Sequence, residues 1–263
     1  MIYGHLTSPN LGSQAADLIA VLPLAAMEQH GAHLPLATDT AIAERLSRLV
    51  EEALHEQIAL LPTLWCGSSH HHKGFPGTLS LRSETYVEVI LDLVQSLVES
   101  GFRRIFLLNC HGGNQTPFSE ALYRLNLQLK SGNEPWIAAA SYWHLASEEL
   151  SRQTFMQSSR LSHACEYETS MMLALDPVQV HGVGSGFEGN IKSDFYDPLN
   201  YHPSRVVIMQ SFDQLSANGA LGSPEFASAE KGQQLFPLIA DAIIKFLQEF
   251  ATWPYPRNKP PTP

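Results

Sequence analysis

Apolar residues along this chain fall into two kinds of run that alternate. Residues 17–24, 58–65, 104–109 and 136–142 are short and almost continuously apolar, which predicts strands buried on both faces, as in a parallel sheet. Between them lie longer stretches with apolar residues three or four positions apart. Residues 39–56 carry Ala41, Ile42, Leu46, Leu49, Val50 and Leu54 at that spacing. Residues 85–100 carry Val87, Ile90, Leu91, Val94, Leu97 and Val98, with Gly101 as the expected C-cap. Helices are also predicted over 115–130, 163–175 and 229–250. The alternation predicts an α/β layered fold with a mainly parallel sheet.

In such sheets ligands collect beyond the carboxyl ends of the strands. Residues 28–39 follow the first strand and hold Glu28, His30, His33 and Asp39. Carboxylate oxygen and neutral imidazole are the usual protein ligands of Zn, Mn and Fe. In an extended Glu28-x-His30 both side chains share a face, and a turn at Gly31 with Pro35 brings Asp39 back toward them. The bland alternative is a polar loop capping the next helix. His111 follows the third strand in Asn109-Cys110-His111-Gly112-Gly113-Asn114, so the two segments are expected to share one site.

Composition narrows the class. The chain has 263 residues, 44% hydrophobic and 16% charged, a globular composition with length for one well-buried domain, expected over 1–253. The last ten residues, 254–263, hold five prolines and read as an extended tail. A formal charge of −10 with 16 scattered Lys and Arg argues against nucleic acid. No apolar run reaches the length of a membrane span. Three scattered cysteines and no visible signal peptide lead to the expectation of a cytoplasmic protein. Residues 182–221 are irregular and expected to form long loops.

Two further segments carry candidate chemistry. His163, Cys165, Glu166 and Glu168 open the predicted helix 163–175, where His163 and Glu166 stand i and i+3 on one face. Acidic residues in a first turn also suit the helix dipole. However, Met171-Met172-Leu173 directly after them predict burial, and buried carboxylates need partners. The run His70-His71-His72, followed by Phe75, is either a solvated loop or a pocket mouth with His72 and an apolar Phe75 wall. Tyr142 and Trp143, at a strand end, are either pocket residues or ordinary core aromatics.

Taken in order, Glu28–Asp39, Phe75–Thr78, Asn109–Asn114 and His163–Ser170 resemble the creatininase (creatinine amidohydrolase) family motifs E-Q-H-G-x-H-L-P-x-x-x-D, F-P-G-T, N-x-H-G-G-N and H-A-x-E-x-E-T-S. Residues 216–235 are similar to its C-terminal segment. The resemblance implies a three-layer α/β/α sandwich and a site for two divalent cations, Zn, Mn or Fe. Glu28, Asp39 and His111 would hold one, and His30, bridging Asp39 and a glutamate the other. In creatininases that glutamate stands two residues after the counterpart of His111, where this chain has Gly113; Glu166 is the candidate substitute and Glu168 its rival. His163 matches the catalytic histidine, with Glu168 as the carboxylate that supports it. Ser159 stands where creatininase has a tryptophan over its substrate. The implied activity is metal-dependent hydrolysis of a C–N bond in a small cyclic amide or formamide by an oligomer, a hexamer by family analogy. The alternatives are a maturation peptidase of the same fold and a non-catalytic metal-binding relative.

Overall fold

The computed structural model describes residues 1–129, 135–184, 186–187, 191, 193–197, 205–206, 208 and 210–254. Four parallel strands, β1 (Ile19–Leu24), β2 (Ile58–Leu60), β3 (Arg104–Asn109) and β4 (Trp136–Ser141), form a sheet in the order β2-β1-β3-β4. Nine α-helices are present among the described residues: α1 (Ser8–Gln14), α2 (Thr38–Leu54), α3 (Ser83–Glu99), α4 (Gln115–Gln128), α5 (Tyr142–Leu145), α6 (Ser147–Arg152), α7 (Glu166–Leu175), α8 (Phe212–Leu215) and α9 (Ala229–Thr252).

Alternation along the strands decides which side chain meets which helix layer. Ile19 and Val21 of β1, with Phe106 and Leu108 of β3, face a core built from α2, α7 and α9. Ala20, Leu22 and Leu24, with Ile105 and Leu107, face the opposite core against α3 and α4. The sheet is therefore covered on both faces in a three-layer α/β/α sandwich, as the apolar runs require. β1 feeds through α2 to β2 on one side, and the chain then crosses to β3 on the other. The strand order reverses between β1 and β3, whose register runs from Ile19↔Arg104 to Leu24↔Asn109. Beyond the carboxyl ends of those two strands lies the crevice where such sheets bind ligands.

The elements depart from the expected boundaries for local reasons. The second strand ends at Leu60, two residues before Pro62, although Leu64 still bridges to Leu24. Pro23 is tolerated inside β1 because the Leu24 carbonyl accepts from Cys110 on the β3 side, so Pro23 turns its missing donor toward the side where β2 has already ended. The helix expected from His163 begins at Glu166, because Ala164 adopts a left-handed conformation (φ 50°) and Cys165 is extended. Helices α1, α5, α6 and α8 have no clear periodic signal. Lys130, parts of the 182–221 loops and residues 255–263 of the expected tail lie outside the described residues. No helix among the described residues is long and apolar enough to cross a membrane.

Candidate metal centre

Three carboxylates and four imidazoles converge at the β1–β3 crevice. They arrive on several different pieces of local structure. Past β1, Gly31 (φ +66°) reverses the chain, so Glu28 and His30 precede a turn that delivers Asp39 to the first turn of α2, where negative charge suits the helix dipole. The Asn109 side chain accepts from the His111 N–H and donates to the His111 carbonyl, fixing the exit from β3. Asn114 accepts from Ser68 N–H and donates to Ala25 O, which ties the histidine-rich loop to the end of β1. His163 is held by its carbonyl, which accepts from Leu221 N–H, and by Ala164, whose N–H donates to Glu168 Oε2.

Within the cluster, three sets bring one ligand atom per residue within 4.8 Å of one another: Glu28–Asp39–His111, His30–His163–Glu168 and Glu28–His72–His163. Asp39 faces two imidazoles with its two oxygens, Oδ1 at 3.1 Å from His30 Nε2 and Oδ2 at 3.2 Å from His111 Nδ1. Glu28 Oε1 lies 3.2 Å from both His111 Nδ1 and His72 Nε2, and 3.7 Å from His163 Nδ1. Yet Glu28 Oε1, Glu28 Oε2 and Asp39 Oδ2 are buried with no aligned hydrogen bond. Buried carboxylates in that condition are costly without a positive partner.

The far side of each ring explains the orientation of the near side. His30 Nδ1 faces Glu28 O at 3.1 Å, His111 Nε2 faces Ser68 O at 3.2 Å and Ser69 Oγ at 3.1 Å, and His163 Nε2 faces Gln29 O at 2.8 Å. A backbone carbonyl only accepts, so these nitrogens carry a ring proton, and the opposite nitrogen of each ring is the one that faces the carboxylates. Metal-ligating histidines are oriented in this way.

Burial and the facing carboxylates set the protonation of the cluster. Burial opposes charging His30, but Asp39 outweighs it and lifts its pKa to about 9. Burial likewise opposes charging His111, and Glu28 with Asp39 overcomes it, raising its pKa well above the usual value. Asp39 would be pushed up by burial, but His30 and His111 hold it well below the usual carboxylate range. Burial drives Glu168 up to about 8 against the pull of His30, and burial with neighbouring His30 pushes His163 well down. The carboxylates therefore favour protons on His30 and His111, the positions that a bound cation would take over.

The two glutamates at the start of α7 go to different places. Glu166 accepts from the N–H groups of Gln157 and Ser158 and from Lys231 Nζ. Glu168 stands with His30 and His163. The shared face expected for His163 and Glu166 does not arise, since His163 precedes the helix. At Gly113 a Cβ would lie 2.2 Å from Ser68 O and 2.5 Å from His71 Cε1, so no side chain fits that position.

Among the other pocket candidates, His72 is buried inside the cluster, stacked on Phe212 at 3.9 Å between ring centroids. Phe75 packs with Phe212, Leu215 and Leu221. Tyr142 is buried with its hydroxyl unpaired, and burial, then the nearby Glu168, raises its pKa. Trp143 packs edge-on to Tyr142 at 4.9 Å. Two residues of the cluster escaped sequence reasoning. Gln29 was hidden between two ligand-type residues, and Phe212 comes from the irregular 182–221 stretch, where no periodicity marks it.

Fold and cluster define a parallel α/β/α sandwich with a buried carboxylate–imidazole centre at its topological switch point. The creatinine amidohydrolase family model matches residues 4–247, and the chain belongs to the creatininase family of amidohydrolases. The creatinine amidohydrolase of Pseudomonas putida is 30% identical over 89% of this chain and 90% of its own length. The mycofactocin precursor peptide peptidase of Mycobacterium tuberculosis (strain H37Rv) is 27% identical over 92% of this chain and 88% of its own. A mutant creatininase of Zn-Zn type superposes with a TM-score of 0.77 at 25% identity, covering 95% of this chain and 98% of that one.

Proposed function

We propose that this chain is a metal-dependent amidohydrolase that cleaves a C–N bond of a small cyclic amide or formamide with the aid of two divalent cations. The observation that carries this reading is the set of buried Glu28 and Asp39 oxygens without hydrogen bonds, facing imidazole nitrogens. Spacings of 3.1–3.2 Å between these donor atoms suit donors that each stand about 2.0–2.2 Å from a shared cation. One cation would be held by Glu28, Asp39 and His111. The other would be held by His30, Asp39 and Glu168, with Glu168 serving in place of the side chain missing at Gly113. Mixed carboxylate and imidazole suits Zn, Mn and Fe alike.

Such cations polarise a carbonyl and lower the pKa of a bound water toward neutrality. The protein's own groups do the rest. His163, with Nε2–H anchored on the Gln29 carbonyl, presents Nδ1 to the cluster, where it would take a proton from the attacking water and pass it to the leaving nitrogen. The Glu168 carboxylate, fixed by the Ala164 N–H, keeps His163 and His30 on one side of the site. Phe75, Phe212 and Leu221 supply an apolar wall that limits water. Burial of the whole cluster favours a small substrate. The peptidase relative supports a second reading, cleavage of a short peptide. A homo-oligomer, a hexamer by family analogy, belongs to the same proposal and is checked by light scattering.

The test is hydrolysis by protein stripped of metal and reloaded separately with Zn, Mn or Fe, over creatinine, other cyclic amides, formamides and short peptides. Metal-dependent turnover of a cyclic amide or formamide is expected. Turnover of peptides alone favours the second reading. Metal bound in stoichiometric amount with no turnover points to the binding-only relative, and no metal binding overturns the mechanism.

A further inference from the structure

Gln29 lies between Glu28 and His30, and its carboxamide reaches across the cluster. The side chain is buried, and its polar atoms are all committed: Oε1 accepts from Gly31 N–H at 2.9 Å, and Nε2 faces Gly219 O at 3.1 Å and His72 Nδ1 at 2.8 Å. These partners fix which end is nitrogen, because exchanging the two would set a carbonyl against the Gly219 carbonyl and an N–H against the Gly31 N–H. Nε2 also lies 3.1 Å from His163 Nε2, but that nitrogen already donates to Gln29 O. The two amide protons therefore go to Gly219 O and His72 Nδ1. Gly219 is part of the seat: it has φ +84°, and a Cβ there would lie 2.0 Å from Gln29 Oε1.

An amide NH2 donates and never accepts. His72 Nδ1 must then be the bare nitrogen, and the ring proton sits on Nε2, 3.2 Å from a Glu28 Oε1 that has no hydrogen bond of its own. This is the reverse of His30, His111 and His163, which spend their distal N–H on carbonyls and so keep the nitrogen nearest the carboxylates as the one able to ligate. We propose that Gln29 is a positioning residue that locks His72 in the Nε2–H form, so that His72 turns an N–H and not a lone pair toward Glu28 Oε1 and is barred from ligating the cation. Phe212, stacked on the His72 ring at 26°, holds the ring in plane for that contact. The lock does not depend on a metal. Only the second half, donor and not ligand, rests on the two-cation reading above.

Long-range 15N–1H NMR of protein labelled at histidine nitrogens tests both halves, with His72 assigned by the signals lost in His72→Gln. In metal-free protein, His72 is expected with a proton on Nε2 and a bare Nδ1; a proton on Nδ1 overturns the lock. On adding Zn, nitrogens of His30 and His111 are expected to shift while the His72 Nε2–H signal persists. Loss of that proton overturns the donor role and leaves the metal reading intact. No shift at any histidine overturns the metal reading and leaves the lock standing. Gln29→Glu, whose carboxylate accepts, is expected to move the His72 proton to Nδ1 and to weaken Zn binding by roughly 10–100-fold, the usual scale for groups that orient ligands. Gln29→Met serves if that variant misfolds: it is expected to leave His72 as a mixture of both tautomers. An unchanged His72 pattern in a folded variant overturns the proposal.

Discussion

Glu166 and Glu28 are carboxylates buried to nearly the same degree, 0% and 1% exposed, and they are treated in opposite ways. Glu166 is surrounded by donors: two backbone N–H groups and the Lys231 ammonium, which reaches it from the first turn of α9. Glu28 has the imidazoles of His72, His111 and His163 around it and no aligned hydrogen bond. The first arrangement is complete and pins the loop before His163 to α9. The second is the arrangement that the proposed cations would complete. Burial alone therefore does not mark a functional carboxylate. The inventory of donors around it does.

The largest effect should come from Asp39→Asn, which alters the one residue facing both imidazoles. Metal binding at both positions and hydrolysis are expected to fall to background, measured by bound-metal analysis and turnover, with the fold retained by circular dichroism. Retained stoichiometric metal would break the comparison from the Glu28 side. His163→Ala comes next. It is expected to lower turnover by about 10²–10⁴-fold, the range for a lost proton-transfer group, with bound metal unchanged; loss of metal together with turnover would make His163 a ligand.

Glu166→Gln should act on stability and not on chemistry. Breaking a buried pair costs about 3–5 kcal/mol, and for a chain of this length each kcal/mol moves Tm by about 2–4 °C. A Tm drop of about 6–20 °C is expected, with bound metal per folded chain unchanged. Calorimetry with and without Zn sharpens the contrast, since saturation at a hundredfold excess over Kd adds about 2.7 kcal/mol to the native state. Glu166→Gln should keep that increment, and Asp39→Asn should lose it.

The smallest effect is a pH dependence. Burial would raise the Glu166 pKa, but the Gln157 amide, the Lys231 ammonium and the Ser158 amide outweigh it and hold it below the ordinary value. A carboxyl depressed in the folded state stabilises above its unfolded pKa and loses that contribution as pH falls through the folded one. The Tm gap between the parent and Glu166→Gln should therefore be full at neutral pH and shrink in acid. A gap that persists at low pH would mean that packing, not charge, makes Glu166 structural.

Much of this was legible in the residue order. The stripe Val87–Ile90–Leu91–Val94–Leu97 led to α3 almost to the residue, because its periodicity is a local property. The motif from Glu28 to Asp39 was legible as ligand chemistry, because turn residues and ligand types lie within one short segment. The division of labour between Glu166 and Glu168 was not. It depends on the left-handed Ala164, which delays the helix, and on Lys231, which lies 65 positions further along the chain. His72 was ambiguous for a similar reason. A histidine run has no direction until Gln29, Gly219 and Phe212 close around it.

The order of residues by itself determined the alternating strands and helices, the two-faced burial of the sheet and the supply of carboxylates and imidazoles at strand ends. All of these follow from hydrophobic spacing and from side-chain chemistry within a few residues. Only the tertiary structure decided which carboxylate is satisfied and which is left bare, and which nitrogen of each imidazole carries the proton. For His72, His111, His163 and the Lys231 arm of Glu166 the partners come together across 43 to 190 positions of chain, where spacing carries no information and geometry alone assigns donors to acceptors.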